Sequence, residues 1–214
     1  SGDRLSPKIT VGLMPGSVFV PYVSYAEGYR APTVTETLIN GGHVAAVGAP
    51  PFQCPDGSVG MFCFLQNPNL RPEVGKNKEI GVNIKKNDVF VAGDSFRGKL
   101  NLFRNDIDSY IMPIQFDAAP IQNFQGQNFL TPYYQYQNIP HARIQGFEAE
   151  TMYDAQRWFV GVSLTLQEGK DTTKNVGLYS VQPQKVTTTA GARFFDNTLI
   201  TSVQWTSIRA NTDI

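Results

Sequence analysis

The sequence predicts an all-β protein: an antiparallel transmembrane β-barrel, present in part as about eight strands of a wall. Three observations predict it. Segments of about ten residues place apolar and polar side chains on alternate faces. Tight turns and long polar loops alternate between these segments, a length bias that a soluble β-sandwich does not share. Aromatic residues such as Tyr25, Tyr110, Tyr153 and Trp158 stand near segment ends, where membrane barrels carry their interfacial girdles.

Composition narrows the class further. Eighteen basic residues balance eighteen acidic ones, so no broad surface for a phosphate backbone is implied and nucleic acid is not an expected partner. No stretch approaches the roughly 18 to 20 consecutive apolar residues of a membrane helix, which excludes a helical membrane protein. Fourteen Phe, 9 Tyr, 19 Gly and 14 Pro suit strands and loops rather than helices. The chain starts at Ser1-Gly2-Asp3 without a signal segment and stops at Thr212-Asp213-Ile214 without a closing element, so both ends read as cuts within a longer polypeptide.

Leu5 to Met14 reads as a strand, Pro15-Gly16 as a tight turn and Ser17 to Glu27 as the hairpin partner. A long irregular loop, near 28–72, follows. Glu73 to Lys86 resumes extended structure with Ile80, Val82 and Ile84 on one face, and a connection through Asn87-Asp88 and Gly93-Asp94 leads to a strand from about Arg97 to Met112. A second loop near 113–135 is rich in Gln, Asn and aromatic residues. In Ala142 to Tyr153, Phe147, Ala149, Thr151 and Tyr153 oppose Gly146, Glu148 and Glu150. After Asp154-Ala155-Gln156, an apolar row of Trp158, Val160, Val162, Leu164 and Leu166 forms the next strand. A loop near 169–182 precedes a pair, Val186 to Phe195 and Leu199 to Ile208, around Asp196-Asn197.

Several segments are similar to the mid-barrel region of TonB-dependent outer-membrane receptors. They are Tyr22 to Pro32, Asn69-Leu70-Arg71-Pro72-Glu73, Asn77 to Gly81, Phe103 to Ile111 and Gly146 to Glu150, collinear over most of the chain. Within that family the chain resembles receptors for haem, haemoglobin and haemophores, whose Phe-Arg-Ala-Pro and Asn-Pro-Asn-Leu boxes flank a haem-handling histidine. Here the boxes are Tyr29-Arg30-Ala31-Pro32 and Asn67-Pro68-Asn69-Leu70, and His43 is the histidine between them. Tyr29 departs from the Phe of the pattern but keeps an aromatic ring. The first box also occurs in siderophore receptors, so its combination with the second box and His43 carries the haem reading.

The resemblance implies a Gram-negative outer-membrane receptor that binds haem, or a haem-carrying protein such as haemoglobin or a haemophore, and imports haem with energy from the TonB system. Haem would be the transported ligand. It also implies a barrel of about 22 strands, a plug domain outside this chain through which the TonB complex acts, contact with outer-membrane lipid, and no enzymatic activity. A second axial ligand is expected from the plug.

The residues support this independently. Neutral imidazole is a good axial ligand for haem iron, which makes His43 the candidate. Gly41-Gly42 would let a flat porphyrin approach the backbone, Val44, Ala45, Ala46 and Val47 offer small apolar surface, and Arg30 or Arg71 would pair with a propionate. The alternative is a solvated loop histidine with no ligand. His141 reads as structural. Cys54 and Cys63, the chain's two cysteines, lie in the same loop at the spacing of a local disulfide in an oxidising compartment; two thiolates and a distant histidine do not complete a tetrahedral metal site.

The carboxylate pairs Glu148/Glu150 and Asp106/Asp108 suit a polar lumen rather than acid–base chemistry, and no nucleophile elbow, phosphate loop or zinc motif occurs. Phe116, Phe124, Phe129, Tyr133, Tyr134 and Tyr136 crowd the second loop, where they suit a protein partner or flat ligand, or pack the loop against its neighbours. The rival functions are a ferric-siderophore receptor and a small outer-membrane barrel adhesin or enzyme complete in this chain.

Overall fold

The computed structural model describes residues 4–14, 16, 18–43, 52–116, 121–124, 126–130, 132–182 and 184–210. The expected turn residue Pro15 and the apolar run Val44 to Val47 lie outside the described residues.

In chain order, β1 (Lys8–Gly12) pairs antiparallel with β2 (Phe19–Arg30), with Ile9 opposite Tyr25 and Val11 opposite Val23. A short helix, α1 (Val34–Leu38), and four short strands, β3 (Gly41–His43), β4 (Phe52–Gln53), β5 (Val59–Gly60) and β6 (Phe62–Leu65), fill the segment before β7 (Glu73–Asn87). Next come β8 (Ser95–Phe116), the small hairpin β9 (Ile121–Phe124) and β10 (Gln127–Leu130), and β11 (Tyr133–Asp154). The chain continues through β12 (Trp158–Asp171), β13 (Val176–Gly177), β14 (Lys185–Phe194) and β15 (Leu199–Ile208). The main sheet runs β1-β2-β7-β8-β11-β12-β14-β15, an eight-strand path whose ends do not meet. The all-β expectation and the count of about eight strands therefore hold.

Strand ends differ from the expectation in one direction. β2 runs on through Arg30, β8 through Phe116, and β12 through Asp171, while β11 begins at Tyr133 rather than Ala142. Polar residues such as Gln135, Gln137 and Asn138 looked like loop because they break the apolar alternation, yet the backbone ladder extends through them regardless of side-chain polarity. At the other end β1 is shorter than expected, and Leu5 and Met14 are exposed outside it.

The chain divides into two compact units. The first comprises residues 1–28, 75–107 and 141–214. Its strands have one apolar and one polar face: Phe147 stands opposite Leu166 and Ala149 opposite Leu164, while Glu148 meets Thr165 and Glu150 meets Ser163. The apolar rows are open, with Ile80 59%, Leu102 55% and Val203 74% exposed. The polar face is hydrogen-bonded internally, as where Tyr22 Oη donates to Asn101 Oδ1 at 3.1 Å. Between β7 and β8, Asp94 is 1% exposed and accepts from the Val89, Phe90 and Val91 amides and from Tyr153 Oη. Burial opposes its charge, but these four donors outweigh it and hold the carboxyl at a pKa of about 2. Phe90, Tyr153 and Trp158 cluster at this short-turn end, with Tyr153 and Trp158 5.3 Å apart.

The second unit comprises residues 29–74 and 108–140 and has a core of its own. Phe52, Cys54, Cys63, Leu70, Ile111, Met112 and Ile139 are all buried there. Among its described residues, the loop near 28–72 is thus folded rather than irregular.

Candidate functional site

The two boxes act as clamps. Arg30, the last residue of β2, donates from Nε and Nη2 to both oxygens of Glu73 at 2.7 Å and from Nη1 to both oxygens of Glu36 at 2.9 Å. Glu73 is buried and also accepts the Ile111 amide at 2.7 Å. Glu36 completes a capping box with Thr33, which starts α1 directly after Pro32. Burial works against the Glu36 charge, but the Thr33 amide and Arg30 prevail and hold its carboxyl below the usual range. The Arg30 fork, expected as a propionate contact, is engaged by two carboxylates that match its charge and use its planar geometry. The Thr33-x-x-Glu36 spacing was the sequence signal for this helix.

The second box is an Asx turn in which Asn67 Oδ1 accepts the Asn69 amide at 3.2 Å. The Asn67 amide donates to Thr37 O and its Nδ2 to Tyr136 O, both at 2.9 Å, so one asparagine ties the α1 segment to β11. Leu70 is buried beside it. Arg71 is exposed, with its backbone held on both sides by Asn138, whose Nδ2 also donates to Ser109 O.

Between the clamps, β6 pairs antiparallel with β3, setting His43 opposite Phe62 and Gly41 opposite Phe64. On its other edge β6 runs parallel to β11, with Phe64 opposite Tyr134. Alternation then sends side chains two ways. Cys63 points into the core and bonds Cys54, giving the expected disulfide. His43, Phe62, Phe64, Tyr134 and Tyr136 share the opposite face.

On that face the imidazole of His43 stacks on Phe62 at 5.3 Å with an 11° interplanar angle and meets the edge of Phe64 at 5.7 Å. Phe64 stacks on Tyr136 at 5.9 Å, and Tyr134 packs edge-on against Phe62 at 5.4 Å. His43 itself is exposed. An imidazole lone pair lies in the ring plane, so stacking on the ring face does not use it. Tyr134 and Tyr136 thus line this face beside β6, and Phe129 lies 6.3 Å from Phe52 at a steep interplanar angle. Phe62 and Phe64 went unrecognised in the sequence; their signal was the Phe-Cys-Phe alternation.

The glycines before His43 also have a different role from the one expected. Gly41 has φ +93°, and a Cβ there would collide with Asp56 Oδ2 and Ser58 Oγ; a Cβ on Gly42 would come within 2.5 Å of Val59 O. They admit the neighbouring turn of their own chain rather than a porphyrin. That turn is fixed by Ser58 Oγ, which donates to Asp56 Oδ1 at 2.5 Å and accepts the Gly42 amide at 2.6 Å. The Ser58 hydroxyl and amide hold the Asp56 carboxyl below its ordinary value. His141 is exposed at the surface, and its carbonyl accepts from Thr172.

Comparisons with known proteins place this geometry in a family. The family model described as TonB dependent receptor-like, beta-barrel, matches residues 1–213. Heme/hemopexin utilization protein C of Haemophilus influenzae is 32% identical over 168 residues, covering 76% of this chain and 22% of that protein. A hemin receptor of Yersinia enterocolitica is 27% identical over 192 residues, covering 87% of this chain and 26% of that receptor. The chain thus spans about a quarter or less of the length of these relatives. Among solved structures, the Serratia marcescens hemophore receptor HasR, in complex with its hemophore HasA and heme, superposes with a TM-score of 0.65 at 23% identity over 94% of this chain and 31% of HasR. The copper transporter OprC superposes at 0.67 with 15% identity, over 98% of this chain and 27% of its own. At these identities the structural likeness is one of fold. The chain belongs to the TonB-dependent receptor-like β-barrel family, of whose wall it forms an eight-strand stretch.

Proposed function

We propose that the chain is part of an outer-membrane receptor that binds haem, or a haem-carrying protein, and imports haem with energy from the TonB system. One observation carries the reading: His43 is exposed and stands on an aromatic wall of Phe62, Phe64, Tyr134 and Tyr136. An imidazole supplies an axial ligand to haem iron, and aromatic rings beside it suit the porphyrin plane. The relatives named for heme and hemin utilisation point the same way. In this reading the exposed apolar rows face lipid, and the long connections 31–72 and 117–132 lie outside the cell. Arg71 is the propionate candidate, and a second axial ligand comes from another part of the receptor.

The test is His43→Ala in the full-length receptor. Loss of the Soret shift on haem addition and loss of growth on haem as sole iron source are expected. Unchanged haem binding and growth would remove the haem reading and leave a ferric-siderophore receptor as the rival.

A further inference from the structure

The rings on the His43 face fall into two sets by orientation. An imidazole binds iron through an in-plane lone pair, and an axial bond runs perpendicular to the macrocycle, so a porphyrin ligated by His43 stands at right angles to the imidazole plane. Phe62 lies only 11° from that plane and therefore turns its edge to such a ligand. Phe64 stands at 70° to the imidazole, and Tyr136 is stacked on Phe64 with the two planes 13° apart. Phe64 is thus steep to the imidazole, as the macrocycle must be, and Tyr136 follows it. Tyr134 is turned 43° from Phe64, so it does not extend the stacked pair.

The pair is held in place by its own backbone. Phe64 and Tyr136 stand on the neighbouring strands β6 and β11, whose parallel pairing sets Phe64 opposite Tyr134 and Leu65 opposite Gln135. Next to Phe64, buried Cys63 is bonded to Cys54, and Asn67 Nδ2 donates to the Tyr136 carbonyl at 2.9 Å. Both rings are half-buried and keep accessible surface. A pre-ordered aromatic face costs little further entropy when a flat ligand lands on it. Stacking acts on the π-face of the ligand and does not require anything at its centre.

We propose that Phe64 and Tyr136 form a platform that captures the tetrapyrrole ring independently of its metal, so that the site takes metal-free porphyrin as well as haem. His43 then adds an iron contact on top of a capture step that the rings perform. This rests on the haem reading above and widens its ligand class from haem to planar porphyrins.

The test titrates the full-length receptor with ferric haem and, separately, with protoporphyrin IX, which carries the same two propionates and lacks iron. Protoporphyrin is expected to bind saturably, read by its own fluorescence, and to be displaced by haem. Phe64→Leu, which keeps apolar volume and loses the ring face, should weaken both ligands by the same factor, about 2- to 10-fold, and Tyr136→Leu should act likewise. Phe62→Leu should weaken haem more than protoporphyrin, because its stack acts through His43. Absence of saturable protoporphyrin binding, failure of haem to displace it, or a loss of haem affinity in Phe64→Leu that protoporphyrin does not share would overturn the proposal. The first two outcomes are read on the wild-type protein, so a variant that fails to fold leaves the test standing. A wild type that binds haem but not protoporphyrin would sink the platform and keep the haem reading; one that binds neither would sink both.

Discussion

The imidazole of His43 lies face to face with the ring of Phe62, centroids 5.3 Å apart and planes 11° from parallel, because the two residues are cross-strand partners of β3 and β6. The stack fixes the ring plane, and with it the direction of the imidazole lone pair. Phe62→Leu keeps apolar volume but removes the stack. Haem titration of that variant is expected to show about 2- to 10-fold weaker binding, the worth of an aromatic pair, with the axial imidazole signature retained. An affinity equal to wild type would mean that the stack does not orient the ligand.

The clamp at the first box makes a separate prediction. Arg30→Lys keeps the charge but cannot serve Glu73 and Glu36 with one planar fork. Because the arginine is partly exposed, the expected cost is modest, about 1 kcal/mol. Glu73→Gln, which removes the buried charge and puts an amide donor where an oxygen accepts from Arg30 Nε, should cost about 1 to 3 kcal/mol. Hydrogen exchange over residues 29–38 and 108–112 would register both, the second more strongly.

Disulfide loss should act on the loop and not on the wall. The Cys54–Cys63 bridge closes a short loop whose constraint is worth about 2 to 3 kcal/mol. Cys54→Ser with Cys63→Ser is expected to raise proteolytic cleavage within 52–65 and to weaken haem binding through Phe62. The heat-modified mobility of the full-length barrel on electrophoresis should not change.

Asp94 predicts a pH response at the short-turn end. Its folded pKa of about 2 lies below the ordinary 3.8, so its contribution is fully present above pH 3.8 and is lost as pH falls from there toward 2. The protection factors of the Val89, Phe90 and Val91 amides, taken against their intrinsic exchange rates at each pH, should fall across that window. In Asp94→Asn the protection is expected to be lower at neutral pH and to lose this dependence; an unaltered profile would contradict the assignment.

Gly42 tests the packing account of the glycines. A methyl group there meets the Val59 carbonyl at 2.5 Å, with backbone rather than a movable side chain in the way. Gly42→Ala should displace β3 from the 58–60 turn at a cost of about 1 to 3 kcal/mol. Haem binding should then fall although His43 is untouched, and unaltered binding would mean that β3 tolerates the shift.

The alternation of Phe147, Ala149 and Thr151 against Glu148 and Glu150 determined by itself that the protein is a two-faced sheet, and the unequal connections determined its up-and-down order. These are local properties, since a side chain's face follows from its parity along the strand. Box residues, His43 and the cysteine spacing were equally legible. What Arg30 does was not, because its partners Glu36 and Glu73 lie 6 and 43 residues away in sequence and meet it only when the segment between them folds back. For the same reason Gly41 and Gly42 read as an opening for a ligand until the 56–60 turn was seen to occupy that space. The wall beside His43 likewise depends on β6 inserting between β3 and β11, a parallel pairing across about 70 residues that no local pattern specifies.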